Sequence, residues 1–342
     1  MAVRWLVSNL SVTLLGFVLS SPAICAGGAD GKAESAPAAN ARVEIVPRLK
    51  LGASLNSDAP HNADLRIDVP LVLINVNVTT PLGLKVTNLT AENFRLFEDN
   101  AEQKITHFSS EDAPVSVGLL LDSSGSMRTK LPKAREAAAE FFKTANPEDD
   151  FFLIEFSERA KLAVPSTHDA EDIQHRLRHT RAIGRTALLD AIGLGIREMK
   201  KSGNKRKALL ILSDGGDNHS RLSEPEVKNL VRESDVQVYA IGIYELDDSE
   251  KLPREELNGP RLLQDLAEDS GGRAFTVENL NDLPEVCAKI GLELRNQYVL
   301  GYSPTNPERD GKYRHVRLKL APPADAPPLR TYYRTGYYAP SQ

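Results

Sequence analysis

Cysteine is nearly absent from this chain of 342 residues: there are two, and Cys25 falls where an export signal would be cut. That leaves Cys287 alone in an apolar helical pattern, which excludes a disulfide framework and predicts a buried, inert thiol. The seven histidines are scattered. His175 and His179 stand four apart with no third ligand at zinc spacing, and are read as part of a solvated helix face. Basic residues are in deficit as well: 42 Lys and Arg face 47 Asp and Glu, a formal net charge of -5. That balance excludes the positive footprint of a nucleic-acid binder. No P-loop, no G-x-G-x-x-G and no G-x-S-x-G elbow occurs, so the usual phosphate cradles and the serine-hydrolase nucleophile are missing.

Long apolar runs are also scarce. Leu6 to Ser20 is interrupted by Ser8, Asn9 and Ser11 and falls short of the roughly 20 apolar residues that a membrane span needs. With Arg4 before it and the small residues Ser21, Ala23 and Ala26 after it, the stretch reads as an export signal over residues 1–26. The expected product is periplasmic or secreted, with no membrane span after cleavage. Ile24 stands where lipidation at Cys25 requires a small residue. Residues 27–42, rich in Ala, Gly, Ser and Pro, read as a flexible linker.

What is present is a change of pattern along the chain. Residues 43–112 are β-rich: LRIDVPLVLINVNVT alternates over 65–79, a turn follows at Pro81 to Gly83, and Phe94 to Glu98 and Ile105 to Phe108 are further strands. Residues 297–342 behave alike, with strands predicted at Gln297 to Tyr302, Tyr313 to Leu320 and Thr331 to Tyr338. Between them, over 113–296, strand and helix alternate. Strands are expected at Val115 to Leu121, Phe151 to Phe156, Lys161 to Val164, Ala208 to Leu212, Val236 to Ile243 and Arg273 to Val277. Helices are expected at Lys130 to Thr144, Ala187 to Lys200, Glu224 to Arg232, Arg261 to Glu268 and Asp282 to Arg295. Ser223 with Glu226 forms a capping box, and Pro225 sits in the first turn, where its missing N–H is harmless. The fold class is therefore α/β: a doubly wound, mostly parallel sheet inserted between β segments that pack together as a small β-sandwich-like unit.

In such a sheet, ligands bind beyond the carboxyl ends of the strands, where strand order reverses. Asp122-Ser123-Ser124-Gly125-Ser126 follows the first apolar strand of the α/β part, Asp214-Gly215-Gly216-Asp217 follows Ala208 to Leu212, and Thr186 opens the helix between them. The convergent donors are two carboxylates and three hydroxyls. Such hard oxygen ligands suit Mg²⁺ or Mn²⁺, with Ca²⁺ less favoured, and disfavour zinc or copper. Taken singly, Asp122 and Ser124 could be a helix cap and Asp214-Gly215 an ordinary turn. It is their coincidence at one sheet edge that points to a metal.

Asp122-x-Ser124-x-Ser126, Thr186 in GRTALLDAI and Asp214 in LLILSDGGDN together resemble the metal-ion-dependent adhesion site of von Willebrand factor type A domains. The likeness spans roughly Pro114 to Arg295, and the flanking segments resemble an exported subgroup described from Acidobacteria. The resemblance implies that Ser124, Ser126 and Thr186 bind the ion through hydroxyls, with Asp122 and Asp214 binding directly or through water. It also implies a protein partner that offers an acidic residue as the last ligand. Arg185 departs from the glycine common at its position, and Asp217 and Asn218 are read as supporting or loop-forming residues.

Catalysis is not expected. A phosphatase of the haloacid-dehalogenase type begins with Asp-x-Asp, and here Ser124 replaces the second carboxylate that would act as acid and base. The reading is an exported, metal-dependent protein-binding module; the alternative is a structural or envelope-assembly module whose metal site is not essential.

Overall fold

The computed structural model describes residues 71–244, 258–321 and 327–341. The expected export signal and linker lie outside the described residues, and so does the part of the first strand before Leu71.

The α/β part is built on six strands: β5 (Val115–Asp122), β6 (Asp150–Phe156), β7 (Ala160–Thr167), β8 (Arg206–Ser213), β9 (Gln237–Ile243) and β10 (Arg273–Val277). Their order across the sheet is β10-β9-β8-β5-β6-β7. All pairs are parallel except β6 with β7 at one edge. Strand β5 is buried along its whole length, as a central parallel strand covered on both faces must be. Its side chains alternate accordingly. Leu119 and Leu121 join one core with helices α1 (Leu131–Phe142), α2 (Ala170–His179) and α6 (Leu283–Arg295). Leu120 joins the other, with α3 (Leu188–Met199), α4 (Glu224–Glu233) and α5 (Gly259–Ser270). Cys287 is free and fully buried in the first of these cores, and burial pushes its thiol up. His175 and His179 lie exposed on α2.

The capping box at the start of α4 is formed: Ser223 N and Oγ both donate to Glu226 Oε2, at 2.7 and 2.6 Å. These two bonds fix the entry of the chain into α4 just after the loop that follows β8.

The flanking segments interleave rather than forming two separate units. Strands β1 (Val72–Thr79), β4 (Ile105–Ser109), β11 (Tyr298–Tyr302) and β13 (Arg330–Tyr333) make one antiparallel sheet. Strands β2 (Phe94–Glu98), β3 (Ala101–Gln103), β12 (Tyr313–Leu320) and β14 (Gly336–Tyr338) make the other. Ile74, Val76 and Val78 of β1 share a core with Leu96 of β2, Leu300 of β11 and Leu318 of β12. A buried polar clamp ties the two sheets: Glu98 Oε2 accepts hydrogen bonds from the hydroxyls of Tyr302 and Tyr337, both at 2.7 Å.

Two departures from the sequence reading are local. The single strand expected at Thr331 to Tyr338 is two strands in different sheets, because the chain crosses over at Arg334-Thr335. Gly336 permits the crossing, since a Cβ there would lie 2.5 Å from the Tyr313 ring. Strand β3 was not foreseen; it pairs with β2 across a two-residue turn, Asp99-Asn100, in which both residues have positive φ.

Candidate metal centre

Strand order reverses between β5 and β8, and Asp122 and Asp214 stand at the carboxyl ends of these two strands. Asp122 is the last residue of β5 and is inaccessible to solvent. Its carboxylate is held from both sides: Ser124 N donates to Oδ1 at 2.8 Å, and Ser213 Oγ, at the end of β8, donates to Oδ2 at 2.6 Å. The hydroxyls of Ser124 and Ser126 lie 3.1 Å apart. Ser123, between them and Asp122, turns away and donates to the carbonyl of Phe156 at 2.9 Å, which leaves the alternate residues for the site.

Two further loops are stitched to the first by backbone bonds. Gly125 N donates to Gly184 O at 2.9 Å, and Ile183 N to Ser123 O at 2.8 Å. Thr186 is buried, and its main chain is clamped by the loop after β8: Thr186 N donates to Asn218 Oδ1 at 3.0 Å, while Thr186 O accepts from Asn218 N and His219 N at 3.0 and 3.1 Å. Asp217 Oδ1 accepts from Leu189 N at 3.3 Å and from Ser220 Oγ at 2.6 Å. Asn218 and Asp217 thus position Thr186 and the start of α3. Arg185 is exposed.

Asp214 follows β8 directly. Its Oδ2 faces the buried Lys130 ammonium at 3.4 Å. The turn after it depends on Gly215, whose φ is +83°; a Cβ there would be 2.5 Å from the Tyr244 hydroxyl and would also meet the backbone of Gly259. That backbone-to-backbone packing brings the start of α5 against the site. Ser213 also accepts from Gly215 N at 3.0 Å, so one hydroxyl orders both the Asp122 carboxylate and the Asp214 turn. Sequence reasoning missed Ser213. The available signal was a hydroxyl at the last position of an otherwise apolar strand, beside the motif aspartate.

The electrostatics fit a cation. Burial, and then the charge of Asp214, push Asp122 up to about 7, against the opposing hydrogen bonds from Ser213 and Ser124. Both donors to Asp122 are neutral. An unpaired buried carboxylate is unstable as an anion and must either take a proton or meet a positive charge. The side chains offered by Asp122, Ser124, Ser126, Asp214 and Thr186, whose loop is bonded to the first loop at Ser123 and Gly125, carry oxygen donors only, as a hard divalent ion prefers. Burial also raises Asp217.

Fold and site together define a doubly wound α/β domain that carries side chains with oxygen donors on the loops at its switch point. The chain belongs to the von Willebrand factor type A domain family, whose description matches residues 116–289, just over half of its length. An "Uncharacterized protein" of Borreliella burgdorferi is 24% identical over 203 residues, which cover 52% of this chain and 58% of that one. The mouse protein "Inter alpha-trypsin inhibitor, heavy chain 4" is 28% identical over 194 residues, or 52% of this chain and 20% of that one. The chain thus spans less than two thirds of the length of either relative. Among solved structures, a von Willebrand factor type A protein from Catenulispora acidiphila aligns with 78% of this chain and 72% of its own, at 13% identity and a TM-score of 0.47. Among the described residues, no helix is long and apolar enough to cross a membrane.

Proposed function

We propose that this chain is an exported protein-binding module that holds one divalent cation, Mg²⁺ or Mn²⁺, through Asp122, Ser124, Ser126, Thr186 and Asp214, and that it grips a partner by one of the partner's carboxylates. The observation that carries the reading is the Asp122 carboxylate, buried and fixed by two neutral donors, with the Ser124 and Ser126 hydroxyls 3.1 Å apart on the loop that follows it and the Asp214 charge acting on it.

The division of labour follows from charge. Hydroxyl ligands neutralise none of a cation's charge, and Mg²⁺ keeps exchangeable waters, so a bound ion supplies an acceptor position for an incoming carboxylate. Ser213 holds Asp122 in place, Asn218 holds Thr186, and Gly215 lets Asp214 turn inward. We assign the site to binding rather than catalysis, because Ser124 stands where a haloacid-dehalogenase-type phosphatase has the second carboxylate that acts as acid and base. The apolar N-terminal stretch with Arg4 before it supports export.

Calorimetric titration of the purified chain with Mg²⁺ and with Mn²⁺ should show uptake of about one ion and a rise in Tm with concentration, because a ligand of the native state stabilises it by mass action. Asp122→Ala should remove the heat signal while the circular dichroism stays that of a folded protein. An unchanged titration in that variant would reject the site.

A further inference from the structure

The surface around the proposed metal centre differs in charge from the rest of the molecule. The chain is acidic overall, with a formal net charge of -5, yet Arg128, Arg181, Arg185 and Arg221 are all exposed on the loops that build the site. Arg128 closes the 3-10 turn Gly125–Arg128, which carries Ser126. Arg185 adjoins Thr186, and Arg181 lies two residues before Ile183, whose N–H is bonded to Ser123. Arg221 N donates to Asp190 Oδ1, at the first turn of α3, at 3.1 Å. Among the described residues, none of the four takes part in an ion pair.

Two carboxylates around these loops, Asp190 and Asp217, are bound to neighbouring N–H and O–H groups. Asp190 Oδ1 accepts from the backbone N–H groups of Arg221 and Leu222, and Asp217 is tied to Leu189 N and Ser220. Among the described residues, Glu158, beside Gly184, and Glu224 and Glu226, at the start of α4, are exposed acids; Glu224 pairs with Lys228, and Glu226 accepts from Ser223. Within the same arc stands Ile183, 69% exposed. A large aliphatic side chain held out in water by a backbone clamp is the kind of feature that a partner covers.

We infer, resting on the metal-dependent reading above, that the partner docks through a segment with several Asp and Glu residues clustered around one aliphatic residue. One carboxylate meets the ion, the others meet the arginine rim, and the aliphatic side chain packs on Ile183. A nucleic acid would also be drawn to the arginines, but among the described residues this rim offers no exposed Phe, Tyr or Trp on which bases could stack, whereas it does offer an apolar contact. Arginine suits the task because its planar fork binds carboxylates in pairs and desolvates readily.

The test uses the full chain in Mg²⁺ and fluorescence anisotropy with three labelled probes. They are a peptide with one Leu flanked on both sides by Asp and Glu, the same peptide with a single carboxylate left and the rest amidated, and a thymidine oligomer. The fully acidic peptide should bind about tenfold or more tightly than the single-carboxylate one. Arg185→Gln with Arg221→Gln should cut the preference for the fully acidic peptide several-fold, and Ile183→Ser should weaken both several-fold. Neither variant should alter Mg²⁺ uptake measured by calorimetry. Equal binding of the two peptides to the unmodified chain, no peptide binding despite normal Mg²⁺ uptake, or displacement of the peptide by the thymidine oligomer would each overturn the proposal and leave the metal site standing. Absence of Mg²⁺ uptake would instead remove the underlying reading and the proposal with it.

Discussion

A single hydroxyl carries much of the order at the metal centre. Ser213 Oγ donates to Asp122 Oδ2 at 2.6 Å and accepts from Gly215 N at 3.0 Å, linking the ends of two adjacent parallel strands across the switch point. Removing it leaves a buried carboxylate oxygen and a buried N–H each short of a partner, a loss of about 1–3 kcal/mol. Supporting residues of this kind also tune ligand affinity, commonly by about 10–100-fold. Ser213→Ala should therefore lower stability in chemical denaturation by about 1–3 kcal/mol and weaken Mg²⁺ binding by at least about tenfold in calorimetry. If the variant loses stability but binds Mg²⁺ as before, Ser213 is only a structural bond. The five residues proposed as ligands stand out in the sequence because their residue types are restricted by chemistry and their spacing by the strand-loop-helix pattern. Ser213 does not, since a serine at a strand end has many ordinary uses.

At the scale of elements, the α/β part was legible almost throughout, because unbroken apolar runs such as GLLL and ALLIL alternate with helical periodicity and the connections are short. The β part was legible strand by strand but less so in its joints. A run of β-prone residues from Thr331 to Tyr338 carries no sign that it changes sheet, since the reason lies in the distant Tyr313 packed on Gly336. The hairpin between β2 and β3 was missed because its turn is Asp99-Asn100, without the glycine that usually marks such a turn. Both residues adopt positive φ, 44° and 72°. Asp99 has compensating bonds, since its N–H donates to His315 O and its Oδ1 accepts from His315 N, both at 2.9 Å. Asn100 has the ordinary strain of a left-handed residue with a Cβ, which glycine lacks. Asn100→Gly should raise stability by up to about 1 kcal/mol, while Asn100→Val should lower it by more than that amount. Equal midpoints in urea for the three proteins would show that the turn is not under strain.

At the scale of the molecule, the α/β part and the β-sandwich meet through a polar seam rather than an apolar one. Asn77 Nδ2 donates to the Tyr239 hydroxyl at 2.7 Å and Gln297 Nε2 donates to Gln237 Oε1 at 2.7 Å, while Arg273, which pairs with the buried Glu293 within the α/β part, lies 4.4 Å over the centre of the Tyr332 ring of β13. Lys85 enters from the turn after β1 and donates to Asn77 Oδ1 and to Glu293 O, both at 3.2 Å. Burial is the main cause that pushes the Lys85 ammonium down to about 8, with the Arg206 charge adding to it and Glu293 opposing it. Burial also raises Glu293, with Arg273, Lys289 and Lys85 pulling the other way. The unfolded chain holds the Lys85 proton up to the usual lysine value of about 10.4. Between about 8 and that value the unfolded state therefore binds more protons than the native one, and stability must rise with pH across this window. The gain is complete above the unfolded value and is lost again as pH falls to about 8, below which the full penalty of the buried charge applies. Discounted for water on the outer side of the lysine, the effect is about 2 kcal/mol. Lys85→Met removes the titrating group. Urea unfolding at pH 7 and at pH 9.5 should show the unmodified chain gaining about 1 kcal/mol more than the variant over that interval, which covers only part of the window. Parallel pH profiles would mean that Lys85 keeps its proton in the folded seam and that the junction does not respond to alkaline pH through this residue.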